Sequence, residues 1–424
     1  MNNSKTVGIY TLGCRVNMYE SCALSERLKE MGFEVLNAGT CDYYIINTCA
    51  VTSESERKSR QLIRRCAAKG KVLVIGCASQ LNDDYINISN VIYNGGNRNK
   101  MSVVDVLTNG INANESRLET MKDAPYEFMY LNGTDELFSE CRAFIKIQDG
   151  CNGKCTYCII PTCRGSVRSR EADEVIAEAE RLSKNGYQEI ILTGIEVGAY
   201  NKIPLYELIK RVSLVEGVKR IRLGSLSPNI INDKFLQEVS SIKSFMPHFH
   251  LSLQSCNDRI LRLMKRPYKK ADIFDRVEKI KRYFPDAMIS ADIIVGFPTE
   301  TEEDFVETMN AVLELGLYHV HSFPYSERKG TPAAEMQNEV PKYIRAERNI
   351  RLSKQCIDSR KAIFSEMKGK VLSVLIEKIV DGIATGHSEE FIETSFPADN
   401  KLVGNIVNVE IQSYDENKLF GIII

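Results

Sequence analysis

The residues of this chain best suited to chemistry are three thiols within eight positions, Cys151-Asn-Gly-Lys-Cys155-Thr-Tyr-Cys158, at the spacing C-x3-C-x2-C. On a helix these positions would share one face and read as a buried stripe. Gly150 and the turn pair Asn152-Gly153 argue for a loop instead. A loop of convergent thiolates suits soft iron, and a 4Fe-4S cluster held by protein alone normally takes four cysteines. Having three leaves one iron open to a substrate or cofactor. Zinc is the rival, with Cys163 as the fourth ligand that a structural zinc site needs. The spacing favours the cluster.

A second set is spread through the first hundred residues. TVGIYTL, YYIINT and KVLVIG are short β-rich runs, each followed by a helix-compatible segment, the pattern of a parallel α/β sheet. A cysteine stands at the carboxyl end of each: Cys14, Cys49 and Cys77. Ligands of open α/β sheets bind outside those ends, so the three should converge on one rim and hold a second cluster. Cys22, Cys41 and Cys66 read as buried structural thiols. The helical run SESERKSRQLIRRC carries Arg57, Lys58, Arg60, Arg64 and Arg65 beside this rim, a face for RNA or for solvent.

The elements that must position the first loop lie between 141 and about 325. Six candidate strands, RAFIKIQ, QEIILTG, KRIRLGS, HFHLSLQ, SADIIVG and LYHVHSF, alternate with helix-compatible stretches and predict a partial (βα)6 barrel. Barrel sites form at the carboxyl ends of strands. Thr193-Gly194, Ser225, Gln254 and Gly296 stand there, so with Tyr157 they are the candidate cofactor-binding residues. The pairs His248/His250 and His319/His321 alternate on two strands and read as hydrogen-bonded lining. Residues 342–369 predict a long charged helix. Five β-rich runs after it, separated by DG, PADN and DEN turns, predict a small OB-like β-barrel, a frequent nucleic-acid platform with an end-cap as the alternative. The expected division is 1–110, a polar connector 111–140, a barrel domain 141–369 and a terminal β-barrel 370–424.

A length of 424 residues fits two or three domains. No apolar run approaches the roughly 20 residues of a membrane span. No basic segment followed by a long apolar stretch opens the chain, so a cytoplasmic location is expected. Thirteen cysteines then read as reduced, metal-binding thiols rather than disulfides. A formal net charge of −1 excludes a globally basic nucleic-acid binder; any RNA site must be a local patch.

The C-x3-C-x2-C motif with Tyr157 before its last cysteine resembles the radical S-adenosylmethionine (SAM) superfamily, in which the open iron binds SAM and an electron from the cluster cleaves a C–S bond to give a 5′-deoxyadenosyl radical. With the N-terminal cysteines and the terminal β-barrel, nearly the whole chain is similar to the methylthiotransferase family. That resemblance implies an auxiliary cluster on Cys14, Cys49 and Cys77, a radical-SAM cluster on Cys151, Cys155 and Cys158, and a C-terminal TRAM domain. It implies two 4Fe-4S clusters and SAM used twice, once to methylate a cluster-bound sulfur and once for the radical. It also implies a flavodoxin- or ferredoxin-type reductant and a sulfur donor as partners. Within the family, TLGCRVNMYES and INTCAVTSESERKSRQLIRR are similar to the branch that methylthiolates C2 of N6-threonylcarbamoyladenosine beside the anticodon of tRNA. Isopentenyladenosine enzymes read more like GCQMN and those acting on a ribosomal-protein aspartate more like GCPKN. The threonylcarbamoyl carboxylate would need a cation, with Arg15 and the Arg57–Arg65 helix as candidates. Three residues depart from the family pattern: Arg15 for Lys, Cys163 for Ala and Cys256 for Gly. A rival outside the class is a metal-stabilised RNA-binding protein without SAM chemistry.

Overall fold

The computed structural model describes residues 5–37, 39–98, 100–109, 126–133 and 141–424. The connector expected over 111–140 lies outside the described residues except at 126–133.

The first unit is a five-stranded, all-parallel sheet of β1 (Thr6–Thr11), β2 (Glu34–Leu36), β3 (Tyr43–Thr48), β4 (Lys71–Gly76) and β5 (Val91–Asn94), in the order β2-β1-β3-β4-β5. Helices α1 (Arg15–Glu30), α2 (Ser53–Ala67) and α3 (Cys77–Leu81) lie in the crossovers, and α4 (Ser102–Asn109) follows the last strand. The α2 start is locally encoded: Thr52 accepts from the Ser55 N–H, acids occupy the first turn, and Arg64 and Arg65 the last. Cys22, Cys41 and Cys66 are buried in the packing around this sheet, as expected.

Six parallel strands then form the partial barrel: β6 (Arg142–Lys146), β9 (Glu189–Thr193), β10 (Arg220–Leu223), β11 (His248–Gln254), β12 (Met288–Val295) and β13 (His319–Pro324), with a small hairpin of β7 (Gln148–Asp149) and β8 (Arg168–Ser169) beside the first. Two three-stranded sheets, β10-β9-β6 and β11-β12-β13, are stitched by bridges Ile221–Phe245 and Leu226–Leu251. Helices α5 (Ile160–Arg164), α6 (Ala172–Lys184), α7 (Leu205–Ser213), α8 (Asp233–Ser240), α9 (Asp258–Leu263), α10 (Lys270–Tyr283), α11 (Glu302–Glu314) and the long α12 (Lys342–Ser365) follow in turn. All four barrel histidines are hydrogen-bonded lining: His248 and His250 to Ser290, His319 to His321 and Arg360.

The chain ends in a closed five-stranded barrel of β14 (Val371–Val380), β15 (Ile383–Ser388), β16 (Glu393–Pro397), β17 (Ile406–Tyr414) and β18 (Leu419–Ile423). It docks on the amino ends of the larger barrel's strands. Arg220 and Arg222 donate to the carbonyls of His387, Ser388 and Glu389 at 2.7–3.1 Å. Phe391, at φ +69°, inserts between the rings of His248 and His387, with Arg142 and Arg222 about its face at 5.0 and 4.9 Å. Buried Glu189 holds Arg142 and Arg222 from below. Among the described residues no helix is long and apolar enough to cross a membrane.

Candidate cluster and cofactor site

Strands β1, β3 and β4 are neighbours, and a cysteine follows each: Cys14 as N-cap of α1, Cys49 just after β3, Cys77 as first residue of α3. Adjacent strands stand about 4.8 Å apart, so thiols on three consecutive strand ends span a rim about 10 Å wide, room for a cluster that takes one thiolate per iron. Two glycines permit the crowding. A Cβ at Gly13 (φ +96°) would fall 2.6 Å from Cys49 Sγ, and one at Gly76 (φ +106°) 2.5 Å from Thr48 O. Burial pushes the Cys49 thiol up to about 11 and raises that of Cys14, which opens to a cavity yet is ringed by protein. Cys77 moves the other way, lowered by the neighbouring Cys163 thiol and, against burial, by the charges of Arg164 and Lys100.

The segment Cys151–Cys158 is a loop, as its glycines predict. Gly150 (φ +72°) passes so close to Ser166 that a Cβ would sit 2.1 Å from its carbonyl oxygen. Thr156 pins the loop to α9 through the Leu263 and Met264 carbonyls at 2.8 and 3.1 Å. Donors point at the sulfurs: the Gly153 N–H at Cys151 Sγ (3.2 Å) and Arg266 Nη1 at Cys155 Sγ (3.1 Å). A side chain at position 153 would press on Cys151 Sγ at 3.1 Å, so the glycine leaves the sulfur-lined hollow open. Burial pushes Cys158 up to about 12 and raises Cys151. Three thiols, two aimed donors and an open hollow fit a cluster of thiolates. Cys163 does not serve as their fourth ligand: it lies on α5, which packs on α3, and its side chain is buried in one cluster with Cys77 of the other cysteine set. Among the described residues no three His, Cys, Asp or Glu side chains converge closely enough to hold a single metal ion.

A buried charge network locks the two cysteine segments together. Arg164 reaches Asn17 and Glu20 on α1 and Asp149 before the loop, while Lys146 joins Glu20 and Asp149 at 2.5 and 2.6 Å and Lys100 pairs with Glu20. Both carboxylates are held well below the ordinary range although burial alone would raise them; Arg164 is the chief cause.

Between the two sets lies a cavity of about 400 Å³, lined among others by Cys14, Tyr157, Cys158, Gln254, Asp292 and Tyr325. Of the cofactor-binding candidates, Tyr157 and Gln254 reach it. Thr193, Gly194, Ser225 and Gly296 stand at strand ends without lining it. Thr193 is buried, Ser225 bonds Ser252, and a Cβ at Gly194 would meet Gln148 at 2.9 Å. Gly296 gives its N–H to Glu300 at 2.6 Å, and Arg345 packs on its Cα, so packing accounts for this glycine. Sequence reasoning missed Arg266, Arg164 and Asp292. Lone charged residues carry no spacing signal, and only the fold brings them to the cysteines.

Residues 145–312 match the Radical SAM superfamily, and residues 6–92 match the Uncharacterized protein family UPF0004. The threonylcarbamoyladenosine tRNA methylthiotransferase MtaB of Bacillus subtilis is 35% identical, covering 96% of this chain and 93% of its own. The MtaB of Thermotoga maritima is 34% identical over 97% and 95%. The tRNA-2-methylthio-N(6)-dimethylallyladenosine synthase of Caldicellulosiruptor saccharolyticus is 33% identical over 99% and 93%. The radical S-adenosylmethionine methyltransferase TsrM from Kitasatospora setae shares the fold, with a TM-score of 0.58 at 13% identity over 90% of this chain and 80% of that one. Fold and site together define a radical-SAM enzyme, a class that works with a 4Fe-4S cluster and SAM. Within that class the chain belongs to the methylthiotransferase family.

Proposed function

We propose that this protein methylthiolates C2 of N6-threonylcarbamoyladenosine next to the tRNA anticodon, in the cytoplasm, with two 4Fe-4S clusters and two SAM molecules. The supporting observation is the single cavity onto which Cys14 of one set and Cys158 of the other both open. Cys14, Cys49 and Cys77 hold the auxiliary cluster, and Cys151, Cys155 and Cys158 the SAM-binding one, in domains spanning 1–110 and 141–369. When bound, these groups and SAM supply the radical that takes the C2 hydrogen and the methylthio group that replaces it. The chain's own residues hold, orient and shield. Arg266 and the Gly153 N–H steady the loop's sulfurs, Tyr157 and Gln254 wall the cavity, and the Arg164 network fixes the spacing of the two sites. A flavodoxin- or ferredoxin-type reductant and a sulfur donor complete the reaction.

The substituent's carboxylate calls for a cation. On α2, Arg57, Lys58 and Arg60 are already paired with Glu54 and Glu56. Arg15, next to Cys14, has no hydrogen bond or ion pair among the described residues. It lies 5.3 Å from the Phe144 ring centre, within the fields of Arg142 and Arg222 and of the opposing Glu189 and Glu377. Arg64 and Arg65 have no ion pair among the described residues either but stand in the last turn of α2, whereas Arg15 adjoins Cys14, so Arg15 is assigned the carboxylate. The test is reconstituted enzyme, SAM and reductant with two matched tRNAs, bearing threonylcarbamoyl- or isopentenyladenosine, read by nucleoside mass spectrometry. A methylthio product on the first alone is expected. Product on the second alone, or on neither while a ribosomal protein is modified, overturns the assignment.

A further inference from the structure

We infer that Cys163, carried by the barrel, donates a hydrogen bond to the Cys77 sulfur and thereby sets the reduction potential of the N-terminal cluster. The inference rests on the reading of Cys77 as a ligand of that cluster. Helix α5, which bears Cys163, packs against α3, which begins at Cys77, and both side chains belong to one buried apolar cluster. The two thiols lie close enough that each is the largest influence on the other's ionisation. Asn97 clamps the pair: its Nδ2 donates to the Cys163 carbonyl at 3.1 Å, and its Oδ1 lies 3.9 Å from Cys77 Sγ. Cys163 is only 3% exposed, so water cannot stand in for its thiol.

A metal-bound cysteine is a thiolate and can only accept. The unligated Cys163 thiol must then be the donor. Reduction adds negative charge to a cluster and its sulfurs, and a donor at a ligating sulfur stabilises that charge, raising the potential. The chain thus tunes one cluster with a residue from the segment that follows the other. Asn97 and the α3–α5 contact fix the geometry, so an alanine at 163 removes the donor without changing the ligand set.

The test uses the full chain with Cys151, Cys155 and Cys158 all changed to Ala, reconstituted anaerobically so that only the N-terminal cluster remains. Redox titration followed by electron paramagnetic resonance gives its midpoint. Adding Cys163→Ala is expected to shift the midpoint to more negative potential at unchanged iron content. Cys163→Ser, which keeps a donor, should fall between, and Cys356→Ala, at a buried thiol of α12, should leave the midpoint in place. Equal midpoints with and without Cys163, or the same shift from Cys356→Ala, overturn the inference. Iron lost on Cys163→Ala also overturns it, by making Cys163 a ligand. No iron in the parent triple variant would instead overturn the ligand assignment, and the inference with it.

Discussion

Arg164 donates to Asn17 Oδ1 at 2.6 Å, a bond between the segment after the barrel's cysteine loop and the helix that starts at Cys14. Around it, Glu20 and Asp149 face Lys100, Lys146 and Arg164, all five side chains 3% exposed or less. Breaking one partner of such a buried set leaves an uncompensated charge, which costs about 3–5 kcal/mol. Glu20→Ala should therefore lower unfolding stability by that amount, measured by urea denaturation of the full chain, and should loosen both cysteine segments together.

The two cysteine sets should be separable. Changing Cys151, Cys155 and Cys158 together to Ala should abolish 5′-deoxyadenosine formation while iron remains on the N-terminal rim. The triple change at Cys14, Cys49 and Cys77 should keep SAM cleavage and stop methylthiolation. Iron per chain and 5′-deoxyadenosine by chromatography report both; loss of all iron from either variant, with circular dichroism intact, would contradict independent sites.

Arg266 holds Cys155 Sγ at 3.1 Å and also bonds the Tyr268 hydroxyl and the Ser252 carbonyl. A hydrogen bond to a charged acceptor is worth about 1.5–3 kcal/mol. Arg266→Leu should slow SAM cleavage by about 10- to 150-fold at full iron loading, the rate equivalent of that range. Arg266→Lys should recover part of it. An unchanged rate of 5′-deoxyadenosine release in Arg266→Leu would dismiss the contact as incidental.

Glu189 is buried, yet Arg222 and Arg142 outweigh burial and bring its carboxyl down to about 2. A depressed carboxyl stabilises the fold fully above its unfolded value near 4.5, and that contribution is lost as pH falls toward 2. The shift corresponds to about 3 kcal/mol. Acid unfolding should show this loss between pH 4.5 and 2. Glu189→Gln should lack that step and be less stable at neutral pH, with the terminal barrel released first in hydrogen exchange.

Arg15→Leu should raise KM for threonylcarbamoyladenosine tRNA at least tenfold and leave cleavage of SAM without tRNA intact. Arg57→Ala, on a cation already paired with Glu54, should change KM less than threefold. The reverse ranking would move the carboxylate site to α2.

Much of this was legible in the sequence because local patterns encode it. Apolar runs ending in Cys14, Cys49 and Cys77 gave away the rim, and Gly150 with Asn152-Gly153 the loop. All six barrel strands and all five terminal strands fall on the runs that alternation picks out. The rest depends on partners distant in the chain. Strand β2 is three residues on the sheet edge and β5 only four, too short for any period to register. Gly296 sits at a strand end like a ligand-binding glycine, but Arg345 and Glu300 explain it. Cys163 reads as a possible fourth ligand of its own loop, and only the packing of α5 on α3 turns it toward Cys77.

Phe391 stoppers the larger barrel from beneath. With that ring seated at the amino ends of β6, β10 and β11, the small molecules and the target base share the approach from the carboxyl ends, where Cys158 and Gln254 line the cavity. Traffic through one mouth must take turns: whatever covers it last traps what went in before. A bulky tRNA is the natural lid, so SAM should be seated before the tRNA closes over it, and spent fragments should wait until the tRNA departs.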